Sequence, residues 1–134
     1  MKDIPPIKSV MTPFPHWIDA DAAIVRARAM MAQHGVRLLP VMEAGKPIGV
    51  LTDTEIEGET GERRSGEACD RNVYIVDRLE PLDRVLIEMA EHRHEAAFVV
   101  KHGKLVGIFT LTDACLTFGK LLRTLFPRGE GDAA

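Results

Sequence analysis

Two short stretches hold the residues best suited to chemistry, "TDTE" from Thr52 to Glu55 and "TLTD" from Thr110 to Asp113. Each sets a hydroxyl and a carboxylate three residues apart where an apolar run ends. A Thr between a strand and a helix is first an N-cap, and Thr followed three residues later by Glu makes a capping box. Glu55 has the length to reach back to the cap N–H. Asp113 is shorter and is not the preferred partner in that box, which leaves its carboxylate freer to accept two hydrogen bonds from a vicinal diol such as a ribose. The helix N-terminus beside it offers unpaired N–H groups and a positive dipole end, which favour phosphate. The expectation is a ligand at Thr110 and Asp113, and a plain cap at Thr52 and Glu55.

Other chemistry finds less support. His92 and His94 form an H-x-H, but side chains at i and i+2 near a helix end diverge, and neither Cys69 nor Cys115 stands at finger spacing from them, so no metal site is expected. No Ser or Cys has a nucleophile-elbow pattern and there is no Walker-type G-x-x-x-x-G-K-[ST], so an enzyme is not expected.

The elements that must position these residues come in two copies. Shifting the chain by 58 positions aligns 10–56 with 68–114 without a gap, and eleven of the 47 positions are identical, among them Gly49/Gly107, Thr52/Thr110 and Thr54/Thr112. Unrelated windows would share roughly three, since common residue types each make up about 5–10% of usage. The chain is a tandem duplication. Each copy starts with a brief strand ("HWID", "VYIVD") and continues into an amphipathic helix, clearest where Leu82, Val85, Leu86, Met89 and Ala90 share one face behind Pro81. Two apolar runs joined by a glycine-containing turn follow, as in a hairpin. A second helix starts at the Thr. It is short in the first copy and runs toward Pro127 in the second, where its apolar face has no counterpart and suits a homodimer. The polar stretch over 58–67 reads as a linker between repeats at 8–57 and 68–126, and 127–134 as a flexible tail.

The chain's 134 residues and 46% hydrophobic content suffice for a packed core. With 17 Lys and Arg against 20 Asp and Glu, the formal charge is −3 and no basic run tracks a phosphate backbone, so nucleic acid is not an expected partner. Two cysteines are too few for a secreted disulfide scaffold, and no apolar run is long enough to span a bilayer. A cytoplasmic protein without targeting signal or membrane contact is expected.

In order, "SVMTP" (Ser9 to Pro13), "LLPVMEAGKPIGVLT" (Leu38 to Thr52) and "AAFVVKHGKLVGIFTLTDA" (Ala96 to Ala114) resemble a tandem pair of CBS domains, the family named after cystathionine β-synthase. The resemblance covers about residues 8 to 118. It implies a stand-alone α/β module of two β-α-β-β-α repeats packed sheet to sheet with pseudo-twofold symmetry, forming two clefts. It also implies a non-catalytic regulatory or energy-sensing role, with no cofactor beyond a regulatory adenosine-containing ligand: AMP, ADP, ATP, S-adenosylmethionine or a dinucleotide. Carried over by position, the ribose-holding acid is Asp113 and the hydroxyl residue Thr110, with Thr112 beside them. Thr52 and Glu55 are their first-copy equivalents, where Glu replaces the usual Asp. Arg37, Arg93 and His94 precede the second strands and could meet phosphates, while Trp17, Tyr74 and Ile75 could flank an adenine. An unidentified regulated protein is the further partner the resemblance implies. A ligand-free dimerisation or interaction module is the alternative.

Overall fold

The computed structural model describes residues 3–129. Residues 130–134 of the expected tail lie outside this range. Seven strands and five helices follow in the order β1 (Thr12–Pro13), β2 (Ile18–Asp19), α1 (Ile24–His34), β3 (Leu38–Glu43), β4 (Lys46–Thr52), α2 (Asp53–Ile56), α3 (Ser65–Ala68), β5 (Tyr74–Asp77), α4 (Leu82–Glu91), β6 (Ala96–Lys101), β7 (Lys104–Thr110) and α5 (Leu111–Leu125), with a 3₁₀ turn at Ile7–Ser9.

Each repeat builds a hairpin with the same local means. Ala44-Gly45 and His102-Gly103 all have positive φ, the conformation a two-residue loop needs to match the twist of its strands. The pairing of each hairpin shifts register at the equivalent place, between Val41 and Met42 and between Val99 and Val100. The helix of each repeat buries one stripe against its own sheet: Ile24, Ala27 and Met31 from α1, and Leu82, Val85 and Met89 from α4. Both sheets thus have a helical face. Their other faces meet through Phe98, Ile108 and Ala96 on one side and Leu38 and Val50 on the other. The result is the expected α/β pair of repeats packed sheet to sheet.

The repeats exchange their leading segments. Strand β1 of the first repeat adds antiparallel to β7 of the second, Thr12 opposite Ile108, making a four-stranded sheet β1-β7-β6-β5 beside the three-stranded β2-β3-β4. Reciprocally, Asp70 bridges to Val50. The hydrogen bonds repeat at the same offset. Ile7 N donates to Glu80 O at 2.8 Å and Ser65 N to Ala22 O at 2.8 Å, while Leu82 N reaches Pro5 O at 2.9 Å and Ile24 N reaches Arg63 O at 2.8 Å. Ile7 is accordingly buried in the second repeat's core, and Ala68 and Cys69 pack on the first.

This exchange explains the two shared glycines. A Cβ on Gly107 would lie 2.2 Å from Met11 Sδ, and one on Gly49 would lie 2.4 Å from Cys69 Sγ and 3.0 Å from the Asp70 carbonyl. The crossing arm lies directly on the strand at both places, and only glycine leaves room for it.

The stretch expected as a linker over 58–67 is correspondingly not a plain connector. It contains the start of α3, where Ser65 is fully buried, and Arg28 ties the preceding loop down by donating to the Ile56 and Glu59 carbonyls at 2.8 and 2.6 Å.

Candidate functional site

Asp113 closes a complete capping box. Its Oδ2 accepts from Thr110 N at 2.9 Å and from Thr110 Oγ1 at 3.0 Å, and Asp113 N donates to Thr110 Oγ1 at 3.2 Å. Thr52 and Glu55 make the same box, with Thr52 N donating to Glu55 Oε2 at 2.8 Å and Thr52 Oγ1 bonded to the same oxygen. The expectation that the shorter Asp113 would stand apart from its cap is therefore corrected. An Asp at the third helical position closes the box here as Glu does. What remains for other work is Asp113 Oδ1, which makes no hydrogen bond among the described residues.

Around this turn the fold leaves a cleft of about 750 Å³. Three segments form it. The crossing arm contributes Thr12 to His16, the turn between α1 and β3 contributes Gly35 to Leu38, and the start of α5 contributes Thr110 to Asp113. Pro40 and Ile108 line it from the sheets, and Thr52, Asp53 and Glu95 complete it. Two of the three segments belong to the first repeat and one to the second, so the exchanged arm is what brings them together. At the lip, Phe14 is 88% exposed and takes a left-handed backbone with φ 51°. His16 stacks on His34 with ring centroids 3.6 Å apart. Arg37 and Asp53 are neighbours, Asp53 N donating to the Arg37 carbonyl at 3.1 Å, and Arg37 Nε stands 4.0 Å from Asp53 Oδ2, a solvated pair worth little.

At the positions related to this cleft by the 58-residue offset the side chains differ: Asp70, Asn72 and Arg93 are exposed, and bulkier groups fill the places of smaller ones. Pro40 corresponds to Phe98, which is 1% exposed in the cluster between the sheets. Pro15 corresponds to Val73, in the same cluster. Val36 corresponds to His94, a buried ring stacked on Tyr74 with centroids 5.1 Å apart, and Tyr74 itself corresponds to His16. Burial raises the Tyr74 phenol above its ordinary pKa, and Glu88 and Glu80 push the same way.

The sequence-predicted residues therefore divide. Thr110, Thr112, Asp113, Thr52 and Arg37 line one cleft. Glu55, Tyr74, Ile75, Arg93 and His94 do not line it, and Tyr74 and His94 belong to the counterpart. Trp17 and Ile75 are half-exposed and also off the cleft. The expected divergence of His92 and His94 is corrected, since their rings stack with centroids 6.0 Å apart; His92 also pairs with Glu88 Oε2 at 2.9 Å, and ligand-type atoms of Glu88, Glu91 and His92 lie within 4.8 Å of one another. Sequence reasoning missed Thr12, Phe14, His16 and Glu95 as cleft residues. The repeat offset relates each arm to the other, but which sheet an arm crosses to is written only in the tertiary contacts.

Among the described residues no helix is long and apolar enough to cross a membrane. The CBS-domain family model matches twice, over residues 7–58 and 66–117. The chain is 29% identical over 113 residues to the CBS domain-containing protein YhcV of Bacillus subtilis (strain 168), covering 80% of this chain and 81% of that protein. It is 30% identical over 106 residues to the zinc metalloprotease MJ0392 of Methanocaldococcus jannaschii, covering 79% of this chain but 30% of that protein. Among solved structures it superposes with a TM-score of 0.79 and 25% identity on the CBS domain pair of protein MJ0100 in complex with 5′-methylthioadenosine and S-adenosyl-L-methionine, covering 89% of this chain and 99% of that one. With two family matches in tandem, the same architecture and the same repeat register, the chain belongs to the CBS-domain family as a tandem pair.

Proposed function

We propose that this chain is a non-catalytic regulatory module that binds an adenosine-containing ligand in the cleft between its repeats. The observation that carries the reading is Asp113, whose Oδ2 is held by its own cap while Oδ1 is left for a ligand, at the edge of a cleft of about 750 Å³. A pinned carboxylate is a preorganised acceptor for the two hydroxyls of a ribose. The volume falls in the range of small-molecule sites. Phe14 and the apolar Pro40 and Ile108 offer surfaces for an adenine ring. The S-adenosylmethionine and methylthioadenosine held by the similar MJ0100 pair support the same ligand class.

Such a ligand touches both repeats, so binding shifts their relative packing to the extent that its affinity differs between two arrangements. We further assign the homodimer contact to α5, none of whose residues is buried and whose Phe118, Leu121 and Leu125 are 57%, 49% and 61% exposed along one stripe. Light scattering on the purified chain should return the mass of two chains, and a monomer at all concentrations would overturn that assignment.

Ligand titration with thermal unfolding tests the cleft. A ligand at a hundredfold over its Kd should stabilise the fold by about 2.7 kcal/mol. Asp113→Ala should lose that gain, and Glu55→Ala should keep it. Equal loss in both variants, or no gain with any adenosine ligand, would leave the ligand-free interaction module as the better account.

A further inference from the structure

The charges around the cleft bear on which adenosine ligand it takes. Its lining contains one guanidinium, Arg37, and three carboxylates, Asp53, Glu95 and Asp113, a formal balance of −2 with His16 neutral. The single fixed cation already faces Asp53 at 4.0 Å. The positive end of α5 is likewise answered from within, because Asp113 caps it. Glu95 is different. Its side chain is exposed and makes no ion pair or hydrogen bond among the described residues, while its carbonyl accepts from Leu111 N at 3.1 Å and so anchors it beside the first turn of α5. A phosphate chain entering here would meet three carboxylates against one guanidinium. A neutral or positively charged group would meet the Glu95 carboxylate.

Resting on the adenosine reading above, we infer that the cleft selects ligands whose 5′ substituent is neutral or cationic over those carrying phosphates, and that Glu95 is the specificity-determining residue. Because the lining is largely solvated, the preference is carried by long-range charge and fades with salt. The Leu111 bond uses the backbone of Glu95, so changing its side chain leaves the α5 cap in place.

Calorimetric titration with four probes tests this: S-adenosylmethionine, 5′-methylthioadenosine, AMP and ATP. At low ionic strength S-adenosylmethionine should bind at least about tenfold more tightly than AMP, with methylthioadenosine between them and ATP weakest, and the gap should shrink as salt is added. Glu95→Gln should cut the ratio of the two affinities about threefold or more, without abolishing binding of methylthioadenosine. AMP or ATP binding as tightly as S-adenosylmethionine would overturn the selectivity and leave the adenosine reading standing. A ratio unchanged in Glu95→Gln would overturn the role of that residue. Failure of all four probes would overturn the adenosine reading itself, and the inference with it.

Discussion

The Asp113 cleft and its counterpart at Glu55 are built from the same backbone and end in the same capping box, yet different side chains surround them. The length of the acid does not separate them. What does is the set of side chains on the facing strand and arm: Pro40, Pro15 and Val36 around the first, and Phe98, Val73 and His94 around the second. Phe98 carries a ring into the space between the sheets where Pro40 carries a compact one. A duplicated scaffold thus supplies two equivalent positions, and the volume of a few substituents shapes each of them differently.

The largest test of that contrast is Phe98→Ala. Removing a fully buried ring should cost about 3–5 kcal/mol in chemical denaturation, whereas Pro40→Ala, which takes far fewer atoms from an equally buried position, should cost less. Similar losses at both positions would mean that the volume of the Phe98 ring does not distinguish the two.

The glycines give a finer comparison. An alanine at Gly49 meets the fixed Asp70 carbonyl as well as Cys69, while the three atoms nearest to one at Gly107 all belong to the flexible Met11 side chain. Overpacking of this kind typically costs about 1–3 kcal/mol, and Gly49→Ala should lie at the upper end with Gly107→Ala below it. The reverse order would show that the two arms are not held equally close.

The smallest expected effect is at the caps. Glu55→Ala and Asp113→Ala should each lower stability by about 1 kcal/mol, alike because both boxes are complete. A loss only at Glu55 would restore the view that Asp113 stands free of its cap.

Much of this architecture is legible in local residues. The 58-residue repeat, the hairpins around Gly45 and Gly103, the buried stripe of α4 and the Thr-led helix starts follow from spacing and turn chemistry, which act over a few residues. The site was legible only in part. Thr110, Thr112 and Asp113 stand out because a hydroxyl and a carboxylate at capping distance have few other uses. The residues that the resemblance set beside them, taken from both copies, divide: Arg37 lines the cleft, while Arg93, His94, Tyr74 and Ile75, in the same repeat as Asp113, do not. Because the arms cross, Thr12 to His16 and Gly35 to Leu38 face Asp113 instead.

By itself, then, the sequence determined the duplicated α/β units, the caps and the family, because each rests on contacts between residues close along the chain or on a repeated pattern. Only the tertiary structure decided which arm crosses to which sheet, that Gly49 and Gly107 make room for it, and which distant side chains come together around each of two equivalent clefts. Those outcomes depend on whether side chains from distant segments fill a shared volume, and that volume exists only once the two sheets have packed.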